Sequence, residues 1–369
     1  MDMDLQNVTT RNTGYVPLSE LDYIVIDSKK ALPIPCLMFA LGVLGNMLGI
    51  VSLVRYKYRR ARPHSPLTCS SAYTPSPNFR EKNGDRSRDV SDFNHQQRKV
   101  STGMRNKNDI LPGTKRRRKN KFGPFHTLVL ALIAVDLAGN LATSPVTLYL
   151  YATNTTIKAA GGDALCNYSA FAMMFFGIVT MASLTTMAIE RVLSIQCPYF
   201  YHRHVTSRTA NIAILIILVS STIFTALPSM GFGTVRPMFP YTWCFADWQA
   251  KEPKAMAFNF IYAISGIIMI FTTLICNIIV VVGLFKMKSR MATVHGRRKS
   301  TVRRETQMII QLIVMTCIYL ICWLPLMIRI LDNQITRQRN GEQDRIAIWL
   351  AAANPILDPW VTYYFEDQL

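Results

Sequence analysis

Hydrophobic residues gather in seven long runs, at 32–54, 124–151, 164–195, 209–230, 255–285, 306–331 and 345–365, with polar segments between them. Each run meets the roughly 20 residues that a helix needs to cross a bilayer. Charges are scarce inside the runs. Backbone in hydrocarbon must satisfy its own N–H and C=O groups, and a helix does so within one segment. The pattern therefore predicts an all-α membrane protein, a seven-transmembrane helix bundle. Residues 1–31 form a polar N-terminal segment and 55–123 a long first loop. Residues 231–254 join runs four and five, and 286–305 join runs five and six. Little or no tail is expected after the seventh run.

Composition narrows the picture. Of 369 residues, 50% are hydrophobic and only 17% charged, yet Lys+Arg 41 against Asp+Glu 22 gives a net charge of +19. Soluble domains carry about 25% charged residues. A nucleic-acid binder can be this basic but is rarely this apolar, so no nucleic acid is expected as a partner. Most of the surplus sits in the first loop, which holds 19 Lys+Arg against 5 Asp+Glu, including the run Lys115–Lys119. That loop is rich in Ser, Asn and Pro and shows no apolar period, so disorder is expected. It is either a solvated insertion or a polybasic segment held against anionic cytoplasmic lipid.

No basic stretch followed by a short apolar one precedes the first run, so that run is expected to serve as its own insertion signal. Asn7-Val8-Thr9 is a glycosylation sequon, which favours an extracellular N-terminus in a plasma-membrane, multi-pass protein. With that topology the inner loops hold 29 Lys+Arg against 9 outside, as the positive-inside rule asks. Without the long first loop the comparison is 10 against 9, so the sequon and the motifs carry the orientation.

Ionisable and amide groups inside a bilayer are costly and point to function. Asp136 lies in run two, Asn46 in run one, and Asn354-Pro355-Ile356-Leu357-Asp358-Pro359 in run seven. Three polar positions on separate spans suggest a shared, rearrangeable network. The prolines of run seven free backbone carbonyls for it. Glu190-Arg191 closes run three. It is either a surface ion pair or a switch in which Arg191 is held by Glu190 in one state and released in another. Cys166 opens run three and Cys244 lies in the loop after run four, both on the oxidising side, so a bridge is expected. Pro325 should bend run six, with Trp323 packed at the bend. No paired carboxylates, metal-ligand cluster or nucleophile triad stands out. Neither an enzyme, a cofactor nor a metal site is expected.

Together, Gly45-Asn46, Asp136, Cys166 with Cys244, Glu190-Arg191, Trp323-x-Pro325 and Asn354-Pro355 resemble the rhodopsin-like G-protein-coupled receptors. Finer signals resemble the prostanoid receptors, nearest the prostaglandin E receptors of subtype four. They are Gly231-Phe232-Gly233, Tyr241 to Trp248, Ser144-Pro145-Val146-Thr147, Ala226 to Gly231 and Asn354 to Trp360.

The resemblance implies a lipid-acid ligand bound from the extracellular side and a heterotrimeric G protein as partner, of the stimulatory type that raises cyclic AMP. It implies that Thr147, Tyr151 and Thr242 donate to the ligand carboxylate and that Trp243 lines or caps the cleft. It assigns activation and coupling to Asn46, Asp136, Glu190, Arg191, Trp323, Pro325, Asn354, Pro355 and Asp358. Two departures stand out. Trp349 occupies the position of the family's carboxylate-pairing arginine, and Thr362 that of its tyrosine after Asp-Pro. Arg345, one helical turn before Trp349, either reaches inward to replace the missing cation or snorkels to headgroups. Alternatives from the same fold are a receptor for another lipid and a non-signalling decoy. A transporter or channel would call for internal repeats, and none is evident.

Overall fold

The computed structural model describes residues 32–61, 123–292, 299–338 and 340–367. The sequon at Asn7 and the basic stretch 62–122, with its expected anionic-lipid contact, lie outside the described residues. The chain order is α1 Pro33–Ala61, α2 Pro124–Thr153, α3 Ile157–Gln196, α4 Pro198–His204 and α5 Ser207–Ala226, the last continued by a 3-10 turn at Leu227–Met230. Strands β1 Val235–Met238 and β2 Trp243–Ala246 follow, then α6 Pro253–Ala292, α7 Lys299–Thr336 and α8 Gly341–Asp367.

Helices α1, α2, α3, α5, α6 and α7 are long and apolar enough to cross a membrane. The further long helix, α8, is less apolar because it carries Glu342, Asp344, Arg345 and Asp358. Their outward surfaces need lipid. Only 17% of the apolar window of α5 is buried within the protein. Ile212, Leu215, Ile216, Val219 and Ile223 of that helix stand at least half exposed. Water would oppose such a stripe, whereas hydrocarbon accepts it.

The helices overrun the hydrophobic runs. α1 continues to Ala61, so the first loop starts later than 55. Residues 286–292 and 299–305 are helical, which leaves 293–298 of the expected 286–305 loop outside the described helices. The loop after α3 contains α4, and α8 begins at Gly341 rather than 345. Hydropathy marks only the part immersed in lipid, while the i to i−4 ladder continues past it. α3 is the instructive case. Its helical assignment begins at Ile157, but Gly161 and Gly162 are non-helical, with Gly162 at φ +59°. Glycine takes that left-handed value without a Cβ clash. The long continuous helix thus starts just after it, close to the predicted 164.

Polar side chains tie the helices. Asn277 on α6 donates to Thr316 on α7 at 2.7 Å, and the Thr185 and Thr273 hydroxyls of α3 and α6 meet at 3.0 Å. α1 approaches α8 closely because it has Gly45. A Cβ there would sit 2.6 Å from Trp360 Nε1, which donates to the Leu41 carbonyl of α1.

The hairpin covers one end of the bundle. Its antiparallel register runs from Val235 opposite Ala246 to Met238 opposite Trp243. The connection contains a cis Phe239–Pro240 bond, and Tyr241 N–H returns to the Met238 carbonyl. All four β2 residues are buried. The usual alternation of a strand fails here because both faces are covered. The Cys166–Cys244 disulfide bolts β2 to α3, and Cys244 N–H donates to Ser169 Oγ at 3.4 Å. Beyond β2, Asn259 of α6 donates to the Asp247 carbonyl and to Gln334 of α7, and Gln334 donates to the Ala250 carbonyl.

The bridge spans a sequence separation of 78 residues. Cys166→Ser and Cys244→Ser should each cost about 2–5 kcal/mol, read as thermal unfolding of the detergent-solubilised chain. The double variant should lose no more than either single one, because both remove the same link.

Candidate functional site

Under β2 lies a cavity of about 140 Å³. α2 contributes Asp136, Gly139, Asn140, Thr143 and Ser144 to its wall, and α3 contributes Met173, Phe176, Gly177 and Thr180. Phe245 of β2 closes the top, Trp323 and Leu326 of α7 and Tyr262 of α6 form one flank, and Ile348, Ala351 and Ala352 of α8 the other. Met38 brings α1 to the rim. No cationic side chain lines it among the described residues, and its carboxyl is Asp136. An apolar wall with a few hydroxyl and amide groups suits a mostly hydrocarbon ligand. It offers nothing to pair with an acid group.

Cations lie one level nearer the hairpin. On α8, Arg345 precedes Ile348 by three residues and Ala352 by seven, so the three share a helix face. The Arg345 side chain is only 15% exposed. Its guanidinium carbon sits 5.6 Å from the Phe239 ring centroid and 4.9 Å from that of Trp349. Trp349 thus packs against the Arg345 guanidinium. Arg345 also donates to Glu342 Oε2 at 2.5 Å.

The other candidates of this group surround the cavity without lining it. Thr147 donates to the Thr143 carbonyl at 3.4 Å, one turn beyond the wall. Tyr151 and Trp243 are buried, and Trp243 Nε1–H donates to the Phe239 carbonyl at 3.1 Å. Trp243 packs edge-on behind Phe245, so Phe245 is the ring that reaches the cavity. Thr242 is buried, and its hydroxyl makes no hydrogen bond among the described residues. Such a group is stabilised by any partner brought to it.

In the cavity wall itself, Thr180 donates to Asp136 Oδ1 at 2.8 Å. Asn46 donates to the Gly42 and Pro355 carbonyls at 2.9 and 3.1 Å, so the carbonyl of Pro355 is taken up by α1. Asn354 donates to Asp358 Oδ2 at 2.7 Å. Asp136 Oδ2, Asn46 Oδ1 and Asn354 Oδ1 meet no donor among the described residues. Unmatched acceptors are costly in a low-dielectric core. This layer is therefore the one most ready to change partners.

At the opposite end, Glu190 and Arg191 are held differently from a simple pair. Arg191 Nε lies 3.9 Å from Glu190 Oε2, beyond hydrogen-bond distance. The Arg191 guanidinium carbon instead sits 3.3 Å above the Phe125 ring in the first turn of α2. Glu190 accepts a hydrogen bond from the Tyr201 hydroxyl of α4. Desolvation and that bond to the carboxylate push the Tyr201 phenol well above its ordinary value. Sequence reading missed Phe125 and Tyr201. An aromatic at a helix end carries no signal of its own until the fold sets it against a charge.

Also missed was the cluster around Arg329 of α7, which donates to Asp332 at 2.7 Å, Asn333 at 3.0 Å and Asp344 of α8 at 2.9 Å. Asn333 donates to Asp344 as well. The signal was present as ionisable residues at the border of two apolar runs.

Tyr201→Phe should destabilise the chain by about 1–3 kcal/mol, since it strips a donor from a buried carboxylate. Phe125→Leu should cost about 0.5–2 kcal/mol through the lost cation–π contact. Both are read as shifts in thermal unfolding, and Phe125→Tyr, which keeps a ring under Arg191, should remain close to the parent.

Residues 113–362 match the family described as 7 transmembrane receptor (rhodopsin family). The prostaglandin E2 receptor EP4 subtype of Oryctolagus cuniculus is 34% identical over 291 residues, which cover 67% of this chain and 59% of that protein. The human protein of the same name is 33% identical over 288 residues, covering 67% of this chain and 58% of its own length. The human prostacyclin receptor is 35% identical over 259 residues, covering 69% of this chain and 67% of that protein. The chain thus spans under two thirds of the EP4 relatives it matches. Squid rhodopsin superposes with a TM-score of 0.64 at 15% identity, covering 97% of this chain and 86% of its own. That likeness speaks for the fold.

Proposed function

Because the chain belongs to the rhodopsin family of seven-transmembrane receptors, we propose that it is a plasma-membrane receptor for a prostanoid-like lipid acid, acting through a heterotrimeric G protein. The observation that carries this reading is the pairing of an apolar cavity without a cation and a half-enclosed arginine one turn above it. The hydrocarbon chain takes the cavity and the carboxylate takes Arg345. We assign the unbonded Thr242 hydroxyl, with Thr147 and Tyr151, to the acid-binding end, backed by Trp243. Relatives named for prostaglandin E2 and prostacyclin support the ligand class. In this reading the hairpin end faces the cell exterior.

Signalling follows from a shift of population. A ligand moves the equilibrium only by its differential affinity for the two arrangements. Trp323 lines the cavity two residues before Pro325, the proline inside α7. Contact there favours an arrangement with the inner half of α7 displaced. The donor-poor layer of Asn46, Asp136, Asn354 and Asp358 exchanges partners, and Arg191 leaves Phe125 to meet the G protein. The stimulatory type, raising cyclic AMP, is the partner we assign from the relatives.

The test is expression of the full chain, a panel of prostanoids and other lipid acids, and a cyclic AMP readout with surface expression measured in parallel. A response to at least one acid is expected. Thr242→Val should raise the half-maximal concentration about 5- to 10-fold, the effect of one lost bond to a charged group. Phe125→Leu and Tyr201→Phe should raise basal cyclic AMP, because both loosen the resting hold on Arg191 and Glu190. Silence to every acid in a chain that reaches the surface would refute the ligand assignment.

A further inference from the structure

At the end of the bundle opposite the hairpin, α4 and the first turn of α5 carry charge of one sign. Arg203 and Arg208 are exposed there, flanked by His202 and His204, which are exposed too. No Asp or Glu occurs in the sequence between Glu190 and Asp247, and Glu190 is itself buried. The Arg203 and Arg208 side chains make no ion pair or hydrogen bond among the described residues. The turn between the two is tied back. Thr206 caps α5 in a reciprocal box with Thr209, and the Thr209 hydroxyl also donates to the His204 carbonyl at 3.1 Å. The end of α4 and the start of α5 thus form one unit.

Arg208 also has a fixed relation to lipid. Positions 208, 212, 215, 219 and 223 follow helical spacing and share one face of α5. Ile212, Leu215, Val219 and Ile223 are 58, 61, 50 and 62% exposed, a stripe that only hydrocarbon accepts. Arg208 stands about 6 Å beyond Ile212 along the axis, where acyl chains give way to headgroups.

We infer that Arg203 and Arg208 form a docking site for a membrane lipid whose headgroup bears more than one phosphate, its acyl chains lying along the α5 stripe. A guanidinium pairs with phosphate oxygens in two-pronged fashion. Two of them with no acid at hand call for more negative charge than a monoanionic lipid brings. The occupant is a lipid rather than a soluble phosphate because the cationic patch continues directly into the lipid-facing stripe. Its place in the cytoplasmic leaflet rests on the orientation proposed above, whereas the patch itself does not. A headgroup seated there braces α4, whose Tyr201, two residues before Arg203, bonds Glu190.

Each basic residue held near an anionic surface strengthens lipid binding about fivefold, so the two together are worth about 25-fold. The experiment uses the full chain in detergent micelles, where neither leaflet nor receptor ligand enters, and titrates dioctanoyl phosphatidylinositol 4,5-bisphosphate. The readout is the lipid-induced rise in melting temperature, since a ligand that binds the folded chain stabilises it. Wild type is compared with Arg203→Gln, Arg208→Gln, the double variant, and a control carrying Arg116→Gln with Arg117→Gln in the basic stretch 115–119. Dioctanoyl phosphatidylserine and free inositol trisphosphate are run alongside. Both arginines of the patch are exposed and unbonded, and melting without lipid should match wild type.

The expected half-maximal lipid concentration is about fivefold higher in each single variant and about 25-fold higher in the double, with the control unmoved and the other two probes weaker on wild type. No stabilisation of wild type, an unchanged response in the double variant, or an equal loss in the control overturns the site. Phosphatidylserine acting as well as the bisphosphate overturns the multiple-phosphate assignment, and inositol trisphosphate acting as well overturns the lipid. None of these results bears on the lipid-acid ligand, which the cyclic AMP assay tests separately.

Discussion

Hydrocarbon offers no partner to a backbone N–H or C=O, and that constraint shapes most of this molecule. Each crossing segment is a helix because a helix completes its own ladder. Side chains then sort by solvent: branched aliphatics face lipid along α5, and scarce polar groups turn inward to find one another. Asn277 with Thr316, Thr185 with Thr273 and Asn46 with the Pro355 carbonyl are such encounters. Each joins two different helices at a place where packing alone gives little orientation. Where the inward polar groups do not match one another, as around Asp136 and Asn354, the same constraint makes the core adjustable.

The hairpin solves a different problem. Two short strands could not stand alone in water. They persist because β2 is bolted to α3 by the disulfide and roped to α6 and α7 through Asn259 and Gln334. In return they roof the cavity with Phe245 and bring Phe239 over Arg345. Lid, cavity and cation form one assembly in which the outer loop is as much a wall as any helix.

Charge is divided by level along the bundle. The cavity carries a single carboxyl and no cation among the described residues, while guanidinium groups sit above it at Arg345 and Arg329 and below it at Arg191. Each is held by a distinct chemistry. Arg329 bonds Asp332, Asn333 and the buried Asp344, Arg345 lies against the Phe239 and Trp349 rings and bonds Glu342, and Arg191 sits on the Phe125 ring with Glu190 3.9 Å away.

The helices were legible in the sequence because lipid imposes a long apolar run on every crossing. The Cys166–Cys244 bridge was legible because both thiols fell on one side of the membrane. So were the isolated polar residues Asn46, Asp136 and Asn354, since any such group stands out against a hydrophobic run. Helix ends were not legible, because hydrogen-bonded backbone continues past the apolar stretch, as at 286–292 and 299–305. Nor could sequence say which partner each polar group takes. Phe125 under Arg191, Tyr201 against Glu190, Phe239 and Trp349 around Arg345, and Asp344 on Arg329 join residues from different elements or different turns. Periodicity places a residue on a face of its own helix, and only the packed bundle determines what that face meets.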